Sequence, residues 1–138
     1  MRESIVARAT PDRTTKYVTA VRRALEKRGH ATNADLLAML QVEYPAVSAT
    51  TVHRVTARLL DAGEVRLAPS GNDHAMRFDV NNQPHDHFMC TTCGLLRDTQ
   101  LGPSIRAEIE QSIADGCSIS GDLVVSGVCK RCKERGDR

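Results

Sequence analysis

The sequence predicts an α+β protein, with an N-terminal winged helix-turn-helix followed by a small α/β domain. Three observations lead to this fold class: three helical stripes of apolar residues in the first 63 residues, an alternating hairpin pattern directly after them, and two Cys-x2-Cys pairs in the second half. Two helices joined by a short turn and followed at once by a hairpin are typical of a winged helix.

Three amphipathic helices are expected before residue 64. Their apolar stripes recur at helical spacing, as Val18, Val21 and Leu25, then Leu36, Leu37, Leu40 and Tyr44, then Val52, Val55, Leu59 and Leu60. Thr32 is the expected N-cap of the second helix, with Asp35 in its first turn, and Pro45 ends that helix. Ser48 is the expected N-cap of the third helix, and a glycine follows both the first and the third.

Strands are expected after Gly63. Residues 64–68 and 75–80 alternate polar and apolar around a turn-forming cluster, which predicts a β-hairpin. Further on, the sequence predicts short strands, a helix and a last strand, at 87–90 and 95–98, at 105–114, and around 123–125. We therefore divide the chain into a winged-helix domain at 1–80, a hinge at 81–84 and a second domain at 85–138.

Length, apolar content and charge distribution argue against a membrane protein and favour a nucleic-acid partner. The chain has 138 residues, enough for one domain or two small ones. No apolar run approaches the roughly 20 residues of a membrane helix, and residues 1–20 lack an apolar signal segment, so we expect a cytoplasmic, non-membrane protein. The first 60 residues carry a formal charge of +5 and the rest −3, which favours nucleic acid as a partner of the first half. A chance imbalance of solvated charges is the alternative.

The third helix has the composition of a DNA recognition helix. Its non-core face combines short hydrogen-bonding residues near the start with cations further along: Ser48, Thr50, Thr51, His53, Arg54 and Arg58. Residues near the start of such a helix reach base edges in the major groove, and basic residues hold phosphates. An ordinary solvated helix face is the alternative.

Four of the five cysteines have the spacing of a structural zinc site: Cys90, Cys93, Cys129 and Cys132. Two Cys-x2-Cys turns make a tetrahedral thiolate cage. Disulfides and a rubredoxin-like iron site are the alternatives.

The fifth cysteine, Cys117, is expected in the core, and a redox function is the alternative. Four cysteines leave zinc no open position for water, and no histidine is followed two residues later by glutamate, as one is in zinc deaminases, so we expect that the protein is not an enzyme.

His85 and His87 have ligand spacing as well, because residues i and i+2 of a strand point the same way. Asp79 ends the hairpin, Asp98 lies on the expected partner strand, and His30 lies between the first two helices. Taken singly, each of these three residues has an ordinary alternative as a surface or helix-end residue.

Several stretches together resemble the ferric uptake regulator superfamily over nearly the whole chain. They are residues 48–55 (SATTVHRV), 77–79 (RFD), 85–94 (HDHFMCTTCG) and 127–132 (GVCKRC). The resemblance implies a homodimer whose winged helices bind double-stranded operator DNA. It also implies a dimerisation domain with one structural Zn²⁺ per subunit, and a regulatory metal at the hinge.

The chain is similar to the peroxide-responsive, PerR-like branch of this superfamily, whose hinge ligands are three histidines and two aspartates. The matching residues are His30, Asp79, His85, His87 and Asp98. Such a nitrogen and oxygen set suits Fe²⁺ or Mn²⁺, one per subunit. The resemblance implies a metal-dependent repressor that senses hydrogen peroxide through iron-catalysed oxidation of His30 or His85. An Fe²⁺- or Mn²⁺-responsive uptake regulator without peroxide sensing is the alternative within the class, and a protein-binding zinc-ribbon adaptor is one outside it.

Two departures from the superfamily's pattern stand out. His53 stands where the recognition helix of the superfamily has tyrosine, so base contacts are expected to differ. No histidine follows His87, and the second regulatory metal site of several relatives needs one near the end of the dimerisation domain. We therefore expect no such second regulatory site.

Overall fold

A computed structural model describes residues 13–136, with side chains from residue 15 on. The chain divides into two compact units. The first comprises the residues up to Ala68 together with Met76–Asn82, and the second comprises Pro69–Ala75 together with the residues from Gln83 on.

The first unit contains the three expected helices, α1 (Arg13–Arg28), α2 (Asn33–Glu43) and α3 (Ala49–Asp61). Gly29, directly after α1, has a φ of +87°, a conformation that few residues other than glycine adopt. Thr32 and Asp35 form a capping box at the start of α2, since each side chain accepts a hydrogen bond from the backbone N–H of the other. Ser48 caps α3 by accepting from Thr51 N. The predicted caps are confirmed.

A three-stranded antiparallel sheet completes the first unit. It consists of β1 (His30–Thr32), β2 (Arg66–Ala68) and β3 (Arg77–Asp79), in the order β1-β3-β2. The predicted hairpin is β2 and β3, shorter than expected. Strand β1 was not predicted, because three residues are too few to show an alternating pattern. It places His30 directly opposite Asp79.

The core of the first unit is built from the three predicted helical stripes and one side of the sheet. Its largest fully buried apolar members are Phe78, Leu25, Leu36, Leu59, Val21, Val52 and Val55. Val18, Leu37, Tyr44 and Leu60 are partly buried against it. Each fully buried side chain of this kind stabilises the fold by about 1.5–3 kcal/mol, so this cluster holds α3 firmly against α1 and α2.

The second unit is a small α/β layer made of β4 (Asp86–Cys90), β5 (Leu96–Thr99), α4 (Pro103–Ile113), β6 (Val124–Gly127) and α5 (Lys130–Glu134). Strand β4 lies at the centre, antiparallel to β5 and parallel to β6. The short helix α5 was not predicted, because five residues carry too little periodicity. In the described part of the chain, no helix combines the length and apolar character needed to cross a bilayer.

The expectation that Cys117 lies in the core is wrong. Cys117 is exposed, in the loop that follows α4. The three residues before it, Ala114, Asp115 and Gly116, all have positive φ, and this turn directs the chain away from the helix.

Candidate metal centres and nucleic-acid interface

The two Cys-x2-Cys pairs meet in the second unit. Cys90 ends β4, Cys93 lies in the turn before β5, Cys129 is the N-cap of α5, and Cys132 lies within α5. Their four sulfur atoms lie within 4.8 Å of one another, with Sγ–Sγ distances of 3.8 Å for Cys90–Cys132 and for Cys93–Cys129. A tetrahedron with Zn–S bonds of about 2.3 Å has S–S edges of about 3.8 Å, so the cluster fits a Cys₄ zinc site.

Two backbone N–H groups stabilise a thiolate in this cluster. The N–H groups of Cys93 and Cys129 donate to Cys90 Sγ, at 3.5 Å and 3.3 Å. These hydrogen bonds lower the pKa of the Cys90 thiol to about 6, whereas burial and the neighbouring thiols raise the pKa of Cys132. Cys90 is therefore a thiolate near neutral pH, and the thiolate is the form that binds a metal.

A second group of ligand side chains lies on the neighbouring strands of the second unit. His85 directly precedes β4, His87 lies within it, and Asp98 lies opposite His87 on β5. The Nε2 atoms of both histidines lie 3.4 Å from Asp98 Oδ1, and the two ring centroids are 4.5 Å apart. Both imidazoles are buried, whereas the Asp98 side chain is 47% exposed. The structure thus brings these three residues, which the sequence analysis singled out, close together.

The orientation of His85 shows that this group suits a cation. Its Nδ1 lies 2.7 Å from the carbonyl oxygen of Gln83, which can only accept, so Nδ1 carries the proton. In the neutral ring, Nε2 then directs a lone pair towards the Asp98 carboxylate. Two electron-rich atoms repel at this distance unless a proton or a metal ion lies between them, and a carbonyl behind the imidazole is the usual support of a metal-binding histidine.

The first unit holds a matching pair, His30 and Asp79, on the paired strands β1 and β3. His30 Nε2 lies 3.4 Å from Asp79 Oδ2, and the other carboxylate oxygen accepts from Asn81 N at 2.9 Å. The Asp79 side chain is only 2% exposed, and a buried carboxylate is costly unless it is paired or binds a cation. Like the histidine group on β4, this pair offers nitrogen and oxygen ligands and no sulfur, which suits Fe²⁺ or Mn²⁺.

Asp86, between the two histidines, is a residue that the sequence reasoning missed. Its carboxylate accepts from Arg106 Nη2 at 2.6 Å and from the backbone N–H of Leu101 and Leu123, both at 2.9 Å. Burial by itself would raise the pKa of Asp86, but these hydrogen bonds and the Arg106 charge together hold it below its usual value. The Asp86 carboxylate is therefore already paired with a cation, the guanidinium of Arg106.

The predicted DNA-reading residues lie on one surface of α3. Thr50, His53, Arg54 and Arg58 are exposed, as is Ser48 at the N-cap, and Thr51 is partly buried. The Ser48 hydroxyl is already engaged, because it accepts from Thr51 N and donates to Thr51 Oγ1. The exposed face of α3 therefore presents two arginines, an imidazole and the Thr50 hydroxyl.

The sequence profile of the ferric uptake regulator family matches residues 6–121. The chain belongs to the ferric uptake regulator family. Among curated proteins, this family member is 28% identical over 131 residues to the peroxide-responsive repressor PerR of Staphylococcus epidermidis, across 94% of this chain and 84% of the relative.

Solved structures share the fold of this ferric uptake regulator family member. The iron-containing ferric uptake regulator of Francisella tularensis superimposes with a TM-score of 0.68 at 22% identity, over 89% of this chain and 96% of the other. The Campylobacter jejuni peroxide stress regulator gives 0.65 at 23% identity, over 86% and 90%. The protein is therefore a metal-responsive regulator by family, and the fold does not separate peroxide sensing from iron sensing.

Proposed function

We propose that this protein is a homodimeric repressor that binds operator DNA when one Fe²⁺ or Mn²⁺ per subunit is bound, and that hydrogen peroxide lifts repression. In this proposal one ion is shared by His30 and Asp79 of the first unit and by His85, His87 and Asp98 of the second. A Zn²⁺ in the four-cysteine cluster is the structural ion of each subunit.

The proposal rests on the arrangement of the histidine and aspartate side chains. Two imidazole nitrogens face one carboxylate oxygen at 3.4 Å in the second unit, and a third imidazole faces a buried carboxylate at 3.4 Å in the first. Each group is incomplete for a divalent transition metal, which commonly takes more than three ligands. An ion shared between the groups would complete both, and its loss would free the two units from each other.

The surface of α3 supports the DNA-binding role. Arg54 and Arg58 are exposed one helical turn apart, in a unit whose sequence is rich in basic residues. The core beneath them is fully buried, so the helix is presented rigidly. A recognition helix on a rigid support is the usual arrangement in winged-helix proteins.

The second unit supports the proposed homodimer. Strand β6 lies at the edge of its sheet, and its Val124 and Val125 are 43% and 45% exposed. Helix α4 has no buried residue, and its Ile105 and Ile113 are 46% and 53% exposed. A second copy covering these apolar side chains would remove an unfavourable patch from water.

Peroxide sensing is supported by the ligand set and by the named relatives. Bound Fe²⁺ would supply the redox chemistry that cleaves the O–O bond of hydrogen peroxide, and the two electrons of the net reaction come from the imidazole that is oxidised. The net change is balanced: peroxide gives one oxygen to an imidazole carbon of His30 or His85, and its second oxygen leaves as water. An oxidised imidazole is a weaker ligand, so the shared ion would be lost and DNA released.

Anaerobic loading with Fe²⁺ followed by stoichiometric peroxide tests the proposal. We expect peptide mass spectrometry to show one added oxygen on His30 or His85, and a gel shift with promoter DNA to disappear. Mn²⁺ is the matched metal control, because it does not cleave peroxide in this way and should preserve both the histidines and the gel shift.

A matched histidine control is also available. His74 lies in the exposed turn of the hairpin with a φ of 58°, which asparagine tolerates well. The His74→Asn variant should respond to peroxide as the unaltered protein does. If DNA binding survives peroxide with His30 and His85 unmodified, the protein is an iron or manganese uptake regulator instead.

A further inference from the structure

His53 lies in the second turn of the recognition helix α3, with its imidazole exposed. It contacts Asn33, the first residue of α2. An imidazole on such a helix offers DNA either a donor or an acceptor at Nε2, depending on which ring nitrogen carries the proton. The contacts behind the ring decide which of the two it offers.

A chain of three side chains fixes the Asn33 amide. The Thr56 hydroxyl, on a residue only 1% exposed, donates to Asn33 Oδ1 at 2.8 Å. The other end of the amide, Asn33 Nδ2, lies 3.3 Å from His53 Nδ1. We call Thr56, Asn33 and His53 the polar chain.

The position of the proton on His53 follows from this orientation. An amide nitrogen can only donate, so His53 Nδ1 must accept, and the single proton of the neutral ring lies on Nε2. The Thr56 hydroxyl also lies 3.1 Å from the carbonyl oxygen of His53. Its contact with Asn33 Oδ1 is the shorter, at 2.8 Å, and holds the amide oxygen towards Thr56.

We propose that the polar chain locks His53 in the Nε2–H form, so that α3 presents a hydrogen-bond donor that selects guanine. This inference rests on the proposed DNA-binding function. In the major groove guanine shows two acceptors, N7 and O6, whereas cytosine shows a donor. Adenine has a donor beside its acceptor, and thymine has a methyl group beside its single acceptor O4, so a lone donor favours guanine, which offers two adjacent acceptors.

The locked form can be measured without DNA. In the zinc-loaded full chain labelled with ¹⁵N-histidine, long-range ¹H–¹⁵N spectra at about pH 8.5, where imidazoles are neutral, distinguish a protonated ring nitrogen from a bare one. The His53→Gln variant identifies the resonances by their loss. We expect a bare Nδ1 and a protonated Nε2. A protonated Nδ1 in the unaltered protein would overturn the proposal.

Two variants test whether Asn33 and Thr56 set the position of the proton on the His53 ring. Asn33→Asp replaces the donor by an acceptor-only carboxylate and should move a proton to Nδ1. Thr56→Val frees the amide to turn and should give a mixture of the two forms. Thr19→Val is the matched control, because the Thr19 hydroxyl also donates to a helix carbonyl, that of Thr15, and has no part in the polar chain. If neither Asn33→Asp nor Thr56→Val changes the His53 spectrum, the polar chain does not set the proton.

The base preference is tested by selecting binding sites from random DNA with Mn²⁺-loaded protein. We expect a guanine in each half-site whose replacement by 7-deazaguanine, which lacks N7, weakens binding about fivefold. His53→Gln, which offers donor and acceptor together, should lose most of this difference. Selected sites that tolerate 7-deazaguanine throughout would refute guanine selection alone, whereas no metal-dependent site at all would refute the proposed function.

Discussion

Asp86 and Arg106 form an ion pair in which the carboxylate is buried and the guanidinium is partly buried, with Asp86 Oδ1 at 2.6 Å from Arg106 Nη2. The same guanidinium donates to the carbonyl oxygens of Leu101 and Gly121, and the same carboxylate accepts from two backbone N–H groups. The pair therefore joins β4 to the segments on either side of α4. Because Asp86 lies between His85 and His87, the pair also fixes the strand that presents both imidazoles.

Arg106→Met should destabilise the second unit. It leaves the Asp86 carboxylate, which is 1% exposed, without its cation, and a buried carboxylate that has lost its partner costs about 3 kcal/mol in free energy of unfolding. Urea denaturation of the zinc-loaded protein measures the loss. Arg22→Met is the matched control, because it breaks an exposed pair with Glu64 and should cost less than about 1 kcal/mol. Equal losses for the two variants would contradict a structural role for Asp86.

Cys93→Ser should abolish stoichiometric zinc binding and lower the free energy of unfolding by roughly 3–5 kcal/mol, because zinc binding contributes directly to folding. Metal analysis after gel filtration and thermal melting provide the measurements. Cys117→Ser changes a thiol that is also exposed but lies outside the cluster, and it should retain zinc and melting temperature. Full zinc occupancy in Cys93→Ser would disprove four-sulfur binding.

Asp98→Asn should weaken Mn²⁺ binding by at least about tenfold while leaving zinc in place. The change removes the negative charge that faces both imidazole Nε2 atoms at 3.4 Å. Isothermal titration calorimetry with Mn²⁺ gives the affinity. Asp115→Asn alters an exposed aspartate in the loop after α4 and serves as the control. An unchanged affinity in Asp98→Asn would remove this residue from the proposed ligand set.

Val125→Lys should weaken dimerisation by at least about tenfold, since it places a charge in the apolar patch of β6. Sedimentation equilibrium across a range of concentrations measures the dissociation constant. Val42→Lys adds the same charge at a residue of α2 that is 86% exposed, and it should leave the association unchanged. If both variants remain equally dimeric, another surface forms the contact.

Local patterns in the sequence were enough to predict much of this structure. The helical stripes and caps predict α1 to α3, because Thr32, Asp35 and Ser48 act on backbone atoms three residues away or nearer. The cysteine spacing predicts the thiolate cluster in the same way.

The features that local sequence patterns did not predict depend on contacts between residues that are distant in the sequence. The ion pair between Asp86 and Arg106 joins residues 20 positions apart, and neither residue has a distinctive local pattern. Strand β1 exists only because β3 pairs with it. The exposure of Cys117 depends on a left-handed turn at Ala114, a conformation that alanine does not predict.

Strand β1 and the start of α2 carry two residues with different proposed roles: His30, a proposed metal ligand, and Asn33, which contacts His53. Only Ala31 and Thr32 separate His30 from Asn33, and Thr32 is anchored to Asp35 at both its side chain and its N–H. A backbone shift at His30 must therefore reach Asn33, and through it the ring of His53, within a single stiff segment. If His30 is oxidised as proposed, the base preference of α3 should therefore change together with the affinity for DNA.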